Sequence, residues 1–254
     1  MHEEAPRQFD RLATVYDVTR GALAPETVDR MAELLRERKV KSILEVGVGT
    51  GRVALPLSRC GFNMTGIDAA RNMLARAKEK GVERVLLGSA YALPFHEHTF
   101  DIALMVHVLH VLENPRQALA EGCRVSRGGV CAWVRPSTGT DSEGEGDREI
   151  WTRVYRAIEG EGYSVARAKG GGPTMERAIV AALPPNELVM VGDRFVTESF
   201  SHTLDFVERG GSRHLTHVPR EVLRRAVAKV RGEVGARSFT YRKAEALAFW
   251  TSVT

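Results

Sequence analysis

The chain predicts an α/β fold of the doubly wound kind, a mostly parallel sheet with helices on both faces, and three observations carry that expectation. Short apolar runs alternate with helical patterns from about residue 42 to residue 135, and alternation of this kind demands a parallel sheet. The run Ser42 to Val46 passes through Gly47-Val48-Gly49-Thr50-Gly51 into a helix-like run, Arg52 to Arg59. A strand that turns through glycines into a helix brings backbone N–H groups to the sheet's carboxyl edge. Asp68 then closes the next apolar run, Phe62 to Ile67, where an acidic residue accepts the ribose hydroxyls of a nucleoside-bearing cofactor. The glycine spacing is Gly47-x-Gly49-x-Gly51, with Arg52 where the dinucleotide fingerprint places its third glycine, so the cofactor need not carry a pyrophosphate.

Taken in order, Pro25 suits the first turn of a helix whose Val28, Met31, Ala32 and Leu35 fall on one face. The elements expected next are strand 42–47, helix 51–60, strand 62–67, helix 70–80, strand 83–88, strand 100–106, helix 115–126 and strand 129–135. Asn114-Pro115 offers a cap and a first helical position, and Gly128-Gly129 a stop. Residues 137–147 contain only Ser, Thr, Gly, Asp and Glu and read as a mobile loop. Helices follow at about 147–161 and 174–183, and a strand at 187–198. Residues 201–210 and 219–234 read as helices, the second with an apolar stripe from Val222 to Val234, and Ser238 to Trp250 as the last strand.

At 254 residues the chain is long enough for one large domain or for a core with a small cap. Its apolar and charged fractions, 43% and 27%, are those of an ordinary soluble protein and exclude a disordered or fibrous class. Cys60, Cys123 and Cys131 form no CxxC pair and read as thiols in a reducing compartment. The N terminus lacks the apolar core of a signal peptide, and no apolar run approaches the roughly 20 residues of a membrane span. A cytoplasmic location is the expectation. The net charge of +4 mildly favours anionic partners, yet the basic residues are dispersed over helical patterns rather than gathered as a nucleic-acid patch. The paired histidines His96/His98 and His214/His217 have no Cys or carboxylate cluster to complete a ligand set, so no metal is expected.

Four stretches in order resemble the class I S-adenosylmethionine-dependent methyltransferases, in particular the small-molecule branch around the ubiquinone and menaquinone biosynthesis enzymes. They are Leu44 to Arg52, Gly88 to Phe95, Phe100 to His110 and Ala118 to Gly129. The resemblance implies a Rossmann-like core of seven strands, the last antiparallel, with a small helical cap. A single methyltransferase domain over 1–254 follows, its core about 25–136, 172–199 and 236–254, its lid and cap about 1–24, 137–171 and 200–235. It also implies S-adenosylmethionine as cofactor, S-adenosylhomocysteine as product and a small-molecule acceptor.

Carried over residue by residue, the resemblance places Gly47, Gly49 and Gly51 beside the methionine end of the cofactor, with Thr50 in the same loop. Glu45 would face the methionine ammonium, Asp68 the ribose diol, and Ala69 and Met73 the adenosine. Ser89 and Ala90 stand where adenine is read, and Ser89 departs from the aspartate of many relatives. Val106 would back onto the methionine moiety. Phe9-Asp10-x-x-Ala13-x-x-Tyr16-Asp17 looks like the family's N-terminal lid, whose tyrosine closes over the cofactor, and Arg20 follows it, placed to meet the methionine carboxylate or simply solvent.

The sulfonium methyl is already electrophilic, so the protein's task is to hold donor and acceptor in line, about 3 Å apart, and to exclude water. His107 and His110 are the candidates for a base near neutral pH, with core or helix-surface histidine the plainer reading of each. Aromatic residues of the cap (Trp151, Tyr155, Phe195, Phe200, His202, Phe206) are candidate pocket linings or core. No Asn/Asp-Pro-Pro-aromatic motif and no cysteine after proline is present, which argues against amino methylation of adenine and thiolate-dependent C5 methylation of pyrimidines. Three readings stay beside the leading one: a tRNA or other macromolecular acceptor, a nicotinamide oxidoreductase, and cofactor binding without catalysis. Acceptor identity and oligomeric state are not legible in the chain.

Overall fold

A computed structural model describes residues 4–136, 142–165 and 172–253. Its centre is a seven-stranded sheet built from β1 (Ser42–Val46), β2 (Asn63–Asp68), β3 (Val85–Leu87), β4 (Ile102–Val106), β5 (Val130–Val134), β6 (Glu187–Ser199) and β7 (Ser238–Trp250). The strand order is β3-β2-β1-β4-β5-β7-β6, and β7 runs antiparallel to both its neighbours. The other pairings are parallel. The winding reverses between β1 and β4, and the crevice at the carboxyl ends of those two strands is where such sheets take ligands.

Alternating side chains supply two cores. On one face Ile43, Leu104, Trp133 and Leu247 pack against helices α3 (Pro25–Glu37), α4 (Ala54–Arg59) and α5 (Arg71–Glu79). On the other, Leu44, Ala103, Ala132 and Ala248 meet α6 (Pro115–Val125) and α8 (Gly172–Ala182). Burial on both faces explains why β4 and β5 are unbroken apolar runs rather than alternating ones. A third core, off the end of the sheet, joins α7 (Ser142–Gly160), α9 (Phe200–Glu208) and α10 (Arg220–Val234) through Ile150, Val154, Leu204 and Val227. It sits on the far end of the β6/β7 ribbon, where Phe239 joins it.

Most expected elements stand within two residues of their expected bounds, and the differences have local causes. The helix expected over 51–60 begins only at Ala54, which leaves Pro56, without an N–H to donate, inside the first turn. The strand expected over 83–88 shrinks to Val85–Leu87 at the sheet's edge. Helix α6 stops at Val125, and the Ser126 hydroxyl rather than a glycine closes it, donating toward the Gly122 and Gly129 carbonyls at 2.6 Å. The mobile loop expected over 137–147 is helical from Ser142, while residues 137–141 lie outside the described residues. Tertiary packing overrides composition there: Gly146 brings α7 against the Phe239 ring so closely that a Cβ has no room. Two further helices, α1 (Glu4–Leu12) and α2 (Tyr16–Arg20), form the N-terminal segment.

Candidate functional site

The glycine loop leaves β1 pinned to β2, for the amides of Gly47 and Val48 both donate to the Ile67 carbonyl, at 2.8 and 3.1 Å. Gly47 is required twice over. Its φ is +78°, and a Cβ there would lie 2.7 Å from Val108 Cγ2. Gly49 (φ +54°) has open space around it and donates its N–H to Asp68 Oδ2 at 2.8 Å. Asp68 Oδ1 takes the Ala70 amide, also at 2.8 Å. A carboxylate accepts about four hydrogen bonds, so Asp68 keeps acceptor capacity for a ligand beyond the amides it already holds. Burial raises its pKa, while the amides of Ala70 and Gly49 work against that shift.

These groups open on a cavity of about 260 Å³. Ten of the residues expected at a cofactor or acceptor site line it: Tyr16, Gly47, Gly49, Asp68, Ala69, Met73, Ser89, Ala90, Val106 and His107. Phe9, Tyr91 and Val108, which lie within the resembling stretches without an assigned role, and Val111 and Leu112, which no motif covers, complete much of its apolar wall. The Ser89 hydroxyl oxygen accepts from the Tyr91 amide at 3.2 Å, which leaves its proton free to donate.

Five expected residues lie outside the lining. Gly51 faces Val82 and Ala77 and serves the packing of the loop. Thr50 is buried and donates its hydroxyl to Asp17 Oδ1 at 2.6 Å. Arg20 stacks over Phe206 and Tyr16, its guanidinium carbon 4.7 and 5.8 Å from the ring centroids. Glu45 is 2% exposed, and its Oε2 has no hydrogen-bond partner. Burial, with Asp68 adding to it, pushes its carboxyl up to about 8, only partly opposed by the Ala54 amide and Arg52. A buried acceptor left unsatisfied is costly unless a ligand supplies the missing donor.

His110 is the fifth. Its Nδ1 lies 3.0 Å from Oε1 of Glu176, a carboxylate on α8 that is 1% exposed and whose other oxygen is 3.6 Å from Arg135 Nε. Sequence patterning gave no sign of Glu176, because a single Glu on a helix is ordinarily solvated. His107, by contrast, lines the cavity in the left-handed region, at φ +55°, a strained position for a side-chain-bearing residue and one that clusters at functional sites. Burial, reinforced by Arg52, Arg135, His110 and Arg20, holds its pKa well below the usual histidine value, so the imidazole is neutral at physiological pH.

The N-terminal segment closes over this arrangement. Ala70 at the start of α5 cannot cap its own helix, and Asp10 does so from α1, accepting the Asn72 amide at 2.7 Å. Asp17 on α2 binds Lys80 Nζ at 2.8 Å as well as Thr50. Arg52 donates to the Arg20 and Gly21 carbonyls at 3.2 and 3.4 Å. Phe9 and Tyr16 pack with Leu12, Ala13, Ala70 and Met73 in a small core of their own. The cap aromatics Trp151, Tyr155, Phe200 and Phe206 belong to the third core instead, and Phe195 is 76% exposed. Among the described residues no group of three or more His, Cys, Asp and Glu is placed to hold a metal, and no helix is long and apolar enough to cross a membrane.

Comparison with known proteins adds three findings. Residues 44–133 match the family described as the methyltransferase domain. Over 130 residues the chain is 35% identical to a phosphatidylethanolamine N-methyltransferase of Cereibacter sphaeroides, covering 48% of this chain and 63% of the relative. Over 132 residues it is 30% identical to a demethylmenaquinone methyltransferase of Renibacterium salmoninarum, covering 50% and 56%. The matched part therefore spans less than two thirds of either relative. The crystal structure of the YcgJ protein from Bacillus subtilis aligns with a TM-score of 0.54 at 19% identity, over 88% of this chain and 98% of that one, a likeness of fold.

Proposed function

From a methyltransferase domain of the class I, S-adenosylmethionine-dependent type at residues 44–133, we propose that the whole chain transfers the cofactor's sulfonium methyl group to a small-molecule acceptor. The observation that carries this reading is Glu45, buried with its Oε2 unpartnered beside a glycine loop whose Gly49 amide binds Asp68. A buried carboxylate oxygen with no donor fits an ammonium group, and the spare acceptor capacity of Asp68 fits a ribose hydroxyl. Met73, Ala69 and Ile67 offer an apolar slot for a flat base, and Ser89 offers a hydroxyl donor at its edge. Both curated relatives are named as methyltransferases, one of a phospholipid amine and one of a quinone precursor, which supports a small organic acceptor here.

When bound, the cofactor supplies an electrophilic methyl on a sulfonium. The chain's own residues bind, orient and exclude water. Phe9 and Tyr16 cover the cavity from the lid, Gly47 and Gly49 allow close approach of the loop, and Val106 and Val108 keep its inner wall apolar. His107 is neutral and lines the same cavity, so its imidazole can accept a hydrogen bond from an acceptor hydroxyl or amine and orient it, while the burial and arginines that keep it neutral oppose its carrying the proton away.

The test is turnover. Purified protein is incubated with methyl-labelled S-adenosylmethionine and a panel of small organic alcohols, phenols, acids and amines, with bulk tRNA and with no acceptor. Label transferred to a small molecule, with S-adenosylhomocysteine formed in step, is the expected result. Label found in tRNA would move the acceptor to a macromolecule. Cofactor binding with no transfer to any acceptor would leave a binding protein and overturn the catalytic part of the proposal.

A further inference from the structure

Gly88, Ser89, Ala90 and Tyr91, the residues that follow β3, line one part of the cavity. The Tyr91 hydroxyl is spent on the amides of Glu113 and Asn114, at 2.9 and 3.4 Å. The turn itself is fixed from both sides. The Gly88 amide donates to the Asp68 carbonyl at 3.0 Å, and a Cβ on Gly88 would lie 2.6 Å from Ile67 Cδ1, so the chain is drawn against the end of β2. The Ser89 carbonyl accepts the Ala92 amide at 3.3 Å, and the Ser89 hydroxyl oxygen accepts the Tyr91 amide at 3.2 Å. The hydroxyl proton is left over: among the described residues no acceptor takes it.

The order of the strands decides what meets that proton. With the ribose at Asp68 on β2, the unpartnered Glu45 oxygen on β1 draws the ammonium end of the cofactor to one side, and β3 flanks β2 on the other. The base then falls toward Ser89, against the slot of Ile67, Ala69 and Met73. A hydroxyl differs in kind from a carboxylate here. A carboxylate only accepts, and so selects an amine. The Ser89 oxygen already accepts once, and the bond it lacks is one that it donates. Accepting a second time, from an amine, would leave the proton unpaired inside a filled cavity, which is costly. Acceptance from the Tyr91 amide also polarises the O–H bond and strengthens its donation. On a purine the acceptors are ring nitrogens, whereas the 6-amino group is a donor. The carboxylates that line the cavity stand apart from this edge: Asp68 holds amides and faces the ribose, and Glu113 is exposed beside the Tyr91 hydroxyl.

We propose that Ser89 reads the base by donating its hydroxyl proton to a purine ring nitrogen, so that the site takes purine nucleoside cofactors with or without a 6-amino group. The proposal rests on the reading of the cavity as a cofactor site. It makes Ser89 the residue that sets base specificity, and a permissive one.

The experiment is calorimetric titration with S-adenosylhomocysteine and with its analogue that carries purine in place of adenine and so lacks only the 6-amino group. On the wild type the two dissociation constants should agree within about fivefold. Ser89→Ala should weaken both ligands by a common factor of about five to ten, and Ser89→Thr, which keeps the hydroxyl, should retain most of the affinity for both. Ser89→Asp, an acceptor only, should create a preference for the amine of about tenfold or more. A wild-type preference for S-adenosylhomocysteine above about fivefold would overturn the proposal, since a group in the cavity would then be accepting the amine. Unchanged binding of both ligands by Ser89→Ala would overturn it too. The first titration keeps the two readings apart: if neither ligand binds the wild type, the cofactor assignment falls, and if both bind with the amine strongly preferred, only the assignment of Ser89 does.

Discussion

Glu45 is buried with one oxygen unpartnered, and its carboxyl is pushed up to about 8 chiefly by desolvation. The sign of the consequence follows from linkage. A carboxyl whose folded pKa lies above its unfolded value of about 4.3 favours the folded state while protonated in both, and that advantage is lost as pH rises towards 8. Glu45→Gln should therefore raise the stability of the cofactor-free protein at pH 7.5 by about 2–4 kcal/mol, read as a higher melting temperature, while weakening S-adenosylhomocysteine binding. Binding to the wild type should tighten as pH rises from 6.5 to 8 with release of a proton, seen as a buffer-dependent enthalpy, and the Gln variant should lose that dependence. A flat pH profile would remove the ammonium from Glu45. His107 offers a second check: at φ +55°, His107→Gly should keep wild-type stability better than His107→Ala, by about 1 kcal/mol in chemical denaturation. Several residues of this kind were legible in sequence. Gly47, Gly49 and Asp68 announce themselves by spacing, because only a few residue types satisfy a positive φ or a diol. Arg135, Glu176 and Asp17 do not, since their meaning lies in partners 33 to 66 residues away or in the other half of the chain.

Helices and strands of the core were readable because each carries its own period or a continuous apolar run bounded by turn residues. Where the reading failed, a tertiary contact decided. The loop expected over 137–147 became the start of α7 because Gly146 accepts the Phe239 ring, a partner nearly a hundred residues distant. Helix α1 has little apolar content, and its place is set by Asp10 capping α5 and by Phe9 reaching the small core at Met73. The lid is clipped by Asp17 to Thr50 and Lys80, with Asp17 and Lys80 both substantially exposed. Asp17→Ala should accordingly change overall stability by less than about 1 kcal/mol. It should nevertheless speed proteolytic cleavage before residue 25 several-fold and weaken cofactor binding, as limited proteolysis with and without S-adenosylhomocysteine would show. Cleavage at the wild-type rate would mean that the clip does not hold the lid.

At the scale of the whole molecule, the switch between β1 and β4 fixes where a ligand sits, and the long β6/β7 ribbon carries a separate helical core beyond the sheet. That division corresponds to what the sequence shows: a core with regular alternation, legible from spacing, and a second half in which α8 packs on the sheet while α7, α9 and α10 answer to one another. We propose that the latter three form the cap and, with Arg20 stacked on Phe206, couple lid to cap. The central claim is that the crevice holds S-adenosylmethionine, and the most direct measurement is calorimetric titration of wild type and Asp68→Ala with S-adenosylmethionine, S-adenosylhomocysteine and NADH. The account predicts micromolar binding of the first two, weakened roughly a hundredfold in the variant by loss of the charged acceptor for the ribose diol, and no NADH binding. Tight NADH binding without response to S-adenosylmethionine would contradict it.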